Sequence, residues 1–357
     1  MKAVQYGVIG FGGIAHRRIA LEGFGLDTER FSPPEAMRLT AATSRSDRRR
    51  GEAEELGLKW YDSAEALLQD ASIEAVFIAS NNRTHQAYAE QAIRAGKHCL
   101  IEKPIAPTME GARAIAGLAR EKGVSLSVNH MMSHNAYNQL ARDELKKERI
   151  GAVNDIVLHM EFLYGSTPEE AESWRCADPD ELGGPIGDVG SHCLYMAEYL
   201  LDSPIRELSC VYTPQTMPIR VENGALIEFR TERGVGGSVR VSFNAPRGGL
   251  IGTLSNLGFE IYGESGVIRS RGTLFQLSGH QDEPYRQGIE VESGEGITEL
   301  KPETFPNIYR AVIENHAKSI RESKPLDGSE GLHNLACVTA CHESARSGGK
   351  WRSVPMR

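Results

Sequence analysis

The sequence predicts a two-part α/β chain: an amino-terminal doubly wound parallel sheet, then an α+β half built on a large, mostly antiparallel open sheet. Apolar runs and helical stretches alternate over the first 130 residues, the pattern of parallel strands with crossover helices. A glycine-rich turn, Gly10-Phe11-Gly12-Gly13-Ile14-Ala15, stands between the first such run and the first helical one. Beyond Asn129 the segments alternate apolar and polar residues, which suits strands with one solvated face. With 357 residues there is material for two cores, divided here into residues 1–128 and 129–357.

Composition narrows the class. Apolar residues make up 40% and charged residues 25%, as in an ordinary soluble globular protein. A formal charge of −8 leaves no basic surplus to neutralise phosphates, so nucleic acid is not an expected partner. The one basic cluster, Arg48-Arg49-Arg50, is too short to change that. No apolar run approaches the length of a membrane span, and the first residues run straight into a strand with no room for a signal peptide. Six scattered cysteines without a CxxC pair point to a reduced, cytoplasmic protein.

In chain order, residues 4–9 form the first strand and lead into the GxGxxA turn and a helix over 16–21. Gly10 permits the turn, Gly12 lets the backbone approach a pyrophosphate, and Ala15 is small enough for close helix packing. With them, Phe11, Gly13 and Ile14 complete the candidate cofactor cradle. Residues 22–37, with Gly23, Gly25, Pro33 and Pro34, read as an inserted loop. The strand over 38–43 ends in Ser44-Arg45-Ser46 rather than in the acidic residue that would hold a ribose 2′-hydroxyl. An arginine there suits a 2′-phosphate, so NADP is favoured; Asp47 keeps NAD open, and Arg45 could instead only solvate a helix start.

Helices over 46–56 and 63–70 lead to a strand at 75–79. It ends in Ser80-Asn81-Asn82-Arg83-Thr84-His85, polar residues on the ligand edge of such a sheet. Ser80, Asn81, Asn82 and His85 are candidate cofactor neighbours, though His85 could equally be an ordinary residue beginning a helix to Ala95. The next strand, 98–101, runs into Glu102-Lys103-Pro104, where proline ends strand pairing. A lysine there can meet a bound cofactor or substrate; the alternative is a surface salt bridge. A helix near 108–122 and a strand at 125–128 close this half.

In the second half, Asn129 to His134 starts a helical stretch. His130 and His134 are four apart, but no acidic or cysteine partner accompanies them, so no metal site is assigned. Strands are expected at 155–162, 208–212, 225–229, 237–243, 259–262 and 267–269, with a turn at 263–266 and helices near 306–322 and 329–347. The stretch Gly183-Gly184-Pro185-Ile186-Gly187-Asp188-Val189-Gly190-Ser191-His192 runs into an apolar helix through Leu201. If the helix has begun by Asp188, Asp188 and His192 share a face, and an imidazole held by a carboxylate is a competent general base. The alternative is a capping Asp with an unrelated histidine.

GVIGFGGIA at 7–15, EKP at 102–104 and GGPIGDVGSH at 183–192, in that order, resemble the glucose-fructose oxidoreductase, inositol dehydrogenase and MocA-like family. The similarity runs nearly end to end, including Trp174-Arg175, the 263–266 turn and Glu343 to Gly348. It implies an amino-terminal Rossmann domain, and a carboxyl-terminal domain whose open sheet serves a homodimer or homotetramer. It also implies hydride exchange between a nicotinamide cofactor and a secondary alcohol or carbonyl of a sugar, cyclitol or related polyol. By the same resemblance Lys103 lies beside the nicotinamide and the reacting oxygen with Glu102 adjoining, and Asp188 and His192 form a proton relay. Trp174, Arg175 and His130 are further substrate candidates. Two relatives in function are conceivable on the same site: a glycosidase or lyase using transient redox, and a cofactor-sensing regulator. The chain departs from many members at Tyr195, where they carry an acidic residue, and at 129–135, which lacks their Arg and Pro.

Overall fold

The strand Val4–Ile9 (β1) has five of its six residues buried, and the sheet grows outward from it on both sides. The structure is a computed structural model describing residues 2–244, 257–272 and 287–355. β2 (Met37–Thr43), β3 (Lys59–Trp60), β4 (Ala75–Ile78), β5 (His98–Ile101) and β6 (Leu126–Val128) join β1 in the order β3-β2-β1-β4-β5-β6. All five pairings are parallel. The apolar runs Ala75–Ile78 and Cys99–Ile101 are wholly buried, as strands covered by helices on both faces must be. The order reverses between β1 and β4, so the crevice beyond their carboxyl ends is the ligand position such a sheet provides.

Helices fill the crossovers: Ala15–Gly23, Ala64–Gln69, Asn82–Arg94 and Met109–Lys122. Met109–Lys122 shows clear start and stop signals. Thr108 caps its first turn through the Gly111 N–H, and Gly123 at φ +65° ends it. The helix Asn82–Arg94 starts three residues before the expected position, so His85 lies inside it. Residues 306–332, which the sequence division puts in the second half, pack with the first unit. The cause is the apolar face of helix Ile308–Arg321 and its Arg310, which donates to the carbonyls of Glu22 and Gly23 at 3.4 and 3.3 Å. That helix anchors the end of the loop the sequence reads as an insertion.

The second unit centres on nine strands. They are β7 (Val153–Glu161), β8 (Ile205–Tyr212), β9 (Gly224–Thr231), β10 (Gly236–Ser242), β11 (Leu257–Gly263), β12 (Gly266–Gly272), β13 (Gln287–Ser293), β14 (Gly296–Leu300) and β15 (Arg352–Ser353). Their order is β14-β13-β12-β11-β7-β10-β9-β8-β15, and all neighbours are antiparallel except β7 and β10. The alternation read in the sequence is visible in β9, whose Ala225, Ile227 and Phe229 are buried while Leu226, Glu228 and Arg230 are exposed. Helix Ser191–Leu201 packs on the buried face of β7. The hairpin β13–β14 escaped the sequence reading because β14, Gly-Ile-Thr-Glu-Leu, is short and solvated along most of its length. Helix Ala136–Lys146 follows a single helical turn, Met131–His134, and is capped by Asn135.

Candidate active site

In the first unit the glycine turn is built against the end of β4. Gly10 has φ +94°, and a Cβ there would lie 2.6 Å from the Ser80 backbone nitrogen and Cα, so only glycine fits. Gly10 and Phe11 both donate their N–H to the Thr43 carbonyl, at 2.9 and 3.1 Å, which ties the turn to the end of β2. Helix Ala15–Gly23 then starts with the wider i→i+5 winding, a deviation often found at functional sites. Gly12, Gly13 and Ile14 lie at the surface of the turn, while the Phe11 ring is buried against Trp60 and His16. Among the predicted cradle residues, Phe11 therefore serves packing through its side chain.

Beside the turn lies a cleft of about 430 Å³ walled by Gly10, Gly12, Ser44, Arg45, Ser80 and Asn81. Arg45 is exposed at its rim and makes no ion pair among the described residues. Thr43 also lines the cleft, and its buried hydroxyl has no hydrogen-bond partner, an orphan that a ribose hydroxyl would satisfy. A helix start, a close-approach glycine and an orphan hydroxyl around one cleft fit the pyrophosphate and ribose of a dinucleotide. Asn82, the first residue of its helix, is buried.

His85 is fully buried, with Nδ1 2.7 Å from the Pro104 carbonyl oxygen and Nε2 3.0 Å from that of Ser80. It ties the end of β4 to the Glu102-Lys103-Pro104 loop, whose Lys103–Pro104 bond is cis. Glu102 accepts from Asn129 Nδ2 at 2.7 Å, bridging the ends of β5 and β6; Lys103 is half-buried next to it. His130, adjoining Asn129, is buried.

In the second unit, Gly183 to His192 forms a tight loop and the start of a long helix. A Cβ at Gly187 would fall 1.9 Å from the Leu182 carbonyl oxygen, so the turn closes only on glycine. Ile186–Gly190 has the wide winding and continues into Ser191–Leu201, which places Asp188 inside the helical run instead of at its cap. His192 follows one turn later and is buried. The Asp188 carboxylate faces Arg175, Nε to Oδ2 3.3 Å, and the Arg175 guanidinium lies 4.6 Å from the Trp174 ring centre. The helix is fixed from behind, because Asn334 donates to the Ser191 carbonyl at 2.8 Å. His134 lies on the short turn ahead of Ala136, and burial lowers its pKa. Among the described residues the one His/Cys/Asp/Glu group close enough to share a metal is Glu198, His333 and Cys337, which includes neither His130 nor His134. There His333 Nε2 and Glu198 Oε1 are 2.7 Å apart, and Glu198 also accepts from the Ile205 N–H.

Residues 4–130 match the oxidoreductase family with an NAD-binding Rossmann fold, and residues 138–269 match the GFO/IDH/MocA C-terminal domain. The chain belongs to the Gfo/Idh/MocA oxidoreductases. It is 29% identical over 294 residues to the 1,5-anhydro-D-fructose reductase of Ensifer adhaerens, covering 81% of this chain and 83% of the relative. It is 25% identical to a D-xylose 1-dehydrogenase (NADP(+)) of Haloferax volcanii, over 97% and 98% of the two chains. Among solved structures, a putative NADPH-dependent oxidoreductase from Desulfitobacterium hafniense shares the fold, with TM-score 0.85 at 20% identity over 99% and 98% of the chains.

This Gfo/Idh/MocA chain thus carries an NAD(P)-binding Rossmann domain and the enzyme class of its relatives, dehydrogenases and reductases acting on sugar alcohols and carbonyls. The sequence reading passed over Thr43 and Asn129. Both end a buried strand on the ligand edge, and that position was the available signal. Glu222 was also missed: it accepts the Ile186 N–H at 3.1 Å from a distant loop, and nothing in its local sequence announces this.

Proposed function

We propose that this oxidoreductase exchanges a hydride between NADP(H), with NAD(H) as the lesser cofactor, and a secondary alcohol or carbonyl of a sugar, cyclitol or related polyol. The bound nicotinamide supplies the hydride acceptor or donor. In the oxidative direction His192 takes the proton from the substrate hydroxyl oxygen, while Asp188 fixes the imidazole and favours its cation. The Lys103 ammonium stabilises the same oxygen as negative charge develops. In reverse, these groups polarise a carbonyl and return the proton. Trp174, Arg175 and His130 are assigned to the substrate pocket wall. Glu102 keeps Lys103 in place through Asn129.

The observation that carries the reading is the helical run from Ile186, which holds Asp188 and the buried His192 one turn apart, with a cation on the carboxylate. The exposed Arg45 supports NADP, since a guanidinium suits a 2′-phosphate. The six cysteines are buried thiols outside any disulfide, which supports a reducing, cytoplasmic setting, and the solvated face of the nine-stranded sheet is the surface we assign to a homo-oligomer. No helix among the described residues is long and apolar enough to cross a membrane.

The test is turnover on a polyol and sugar panel by Lys103→Met, His192→Ala and the double variant, with NADPH binding followed separately by fluorescence. Single losses of about 100-fold or more, strongly sub-additive in the double variant, with near-normal NADPH binding, support one shared transition state. Full turnover in either single variant refutes it.

A further inference from the structure

We infer that Glu222 is a positioning residue for the proton relay: its carboxyl oxygen takes the first backbone N–H of the helical run that carries Asp188 and His192. The inference rests on the relay reading above. Pro185, which precedes the run, has no N–H, so the Ile186 N–H is the first donor, and such donors need a partner from outside the helix. Glu222 Oε1 supplies it at 3.1 Å. The loop is shaped around this carboxyl. Gly184 has φ +80°, and a Cβ there would lie 2.4 Å from Oε1 and 2.6 Å from Cδ and Oε2. A side chain at position 184 would therefore push the Glu222 carboxyl out of its place, and the left-handed φ favours glycine there as well.

The anchor itself is rigid. Asn223, the next residue, is fully buried; its Oδ1 accepts the Thr216 N–H at 2.7 Å and its Nδ2 donates to the Pro214 carbonyl at 3.1 Å. The Phe243 N–H donates to the Asn223 carbonyl at 2.9 Å, and β9 begins one residue later. Glu222 thus transmits the position of the sheet to the relay helix, whose side chains must be held to within about 1 Å for proton transfer to be efficient.

The charged and titratable groups around the carboxyl are Arg346, Tyr212 and Cys341. Burial raises the Glu222 pKa to about 7, against the opposing pull of the Ile186 N–H and Arg346. A carboxyl group keeps an acceptor oxygen in both protonation states, so the anchor does not depend on ionisation. Glutamine keeps one too.

The experiment compares Glu222→Ala, Glu222→Gln and His192→Ala in kcat, sugar KM, NADPH affinity, the pH profile of kcat/KM and hydrogen exchange at the Ile186 amide. The expected result for Glu222→Ala is a kcat loss of about tenfold or more, a displaced acid limb, faster exchange at Ile186 and NADPH affinity within about twofold. Glu222→Gln restores most of the rate and the amide protection. Should Glu222→Ala not fold, Glu222→Asp, which withdraws the carboxyl by one methylene, is judged by the same criteria. Wild-type kcat and pH profile in Glu222→Ala, beside an inactive His192→Ala, overturn the anchor alone. Equal damage in the Ala and Gln variants overturns it as well. Full turnover in His192→Ala removes the relay, and this proposal falls with it.

Discussion

The Arg175 guanidinium is shared between Asp188, at 3.3 Å, and the face of Trp174, at 4.6 Å from the ring centre. Burial works against its charge, but Asp188 and Tyr164 outweigh that and raise its pKa, so it stays a cation at every working pH. A fixed cation on Asp188 weakens the pull of that carboxylate on an adjacent imidazolium. Removing it with Arg175→Met frees Asp188 to hold a charged His192 more strongly. The expected outcome is a shift of the acid limb of the kcat/KM profile upward by about one pH unit, with the rate above pH 9 reduced less than that at pH 7. An unmoved limb would mean that Arg175 does not act on the relay.

Arg45 gives the second prediction. It stands exposed at the rim of the cleft walled by Ser44, Ser80 and Asn81, and a charge-assisted bond to a 2′-phosphate is worth about 1.5–3 kcal/mol. Arg45→Ala is expected to raise the NADP KM by about 10- to 150-fold and to leave the NAD KM within about twofold, a split that follows from that range. Equal effects on both cofactors would reduce Arg45 to a residue that solvates the following helix.

The extent to which these sites are legible in the sequence follows from the range of the forces involved. Gly10, Lys103, Asp188 and His192 could be singled out as candidates because a strand end, a tight turn and one helical turn are local events, encoded by residues next to one another. The same locality made the β4 and β5 strands readable, as Ala75–Ile78 and Cys99–Ile101 are unbroken apolar runs bounded by polar residues. Three features depend on partners far along the chain and could not be read: the Glu222 to Ile186 bond, the His85 ring between Ser80 and Pro104, and the return of Ile308–Arg321 to the first unit. The histidine shows the difference most plainly. Its position near a ligand edge drew attention, yet what sets its surroundings is two backbone carbonyls, one of them 19 residues away.

The Gly10 turn yields a third expectation. A methyl group 2.6 Å from the Ser80 backbone cannot be relieved by moving a side chain, and φ +94° is itself unfavourable for alanine. Gly10→Ala must therefore separate the turn from the end of β4 or distort both. NADPH binding is expected to fall by about 100-fold or more, together with a thermal midpoint lower by about 5 °C. Gly12→Ala is the control, because a Cβ there meets only the Gly10 carbonyl oxygen at 4.0 Å. It should cost cofactor affinity with little loss of stability.

The last prediction concerns the first unit's core. His316 is fully buried; its Nδ1 is 2.8 Å from the Tyr6 hydroxyl and its Nε2 is 3.4 Å from the Ser125 carbonyl oxygen. The bonds are satisfied together when Nε2 carries the proton and the Tyr6 hydroxyl donates to Nδ1, the neutral form. Burial is the main reason its pKa falls to about 3, from 6.5 in a free histidine. Because the folded value is the lower one, unfolding takes up a proton between pH 6.5 and 3. Stability is complete above that window and falls by about 1.4 kcal/mol per pH unit within it as the solution is acidified. His342, whose pKa is also lowered by burial, to about 4, adds a slope of its own, so the wild-type curve alone does not isolate His316. His316→Gln does: its amide can accept from Tyr6 and donate to Ser125 without titrating. Urea unfolding of both proteins from pH 7 to pH 4 should give a difference in stability that shrinks steadily toward acid, by about 1.4 kcal/mol per unit below pH 6. A constant difference across that range would show that His316 does not bind its proton on unfolding.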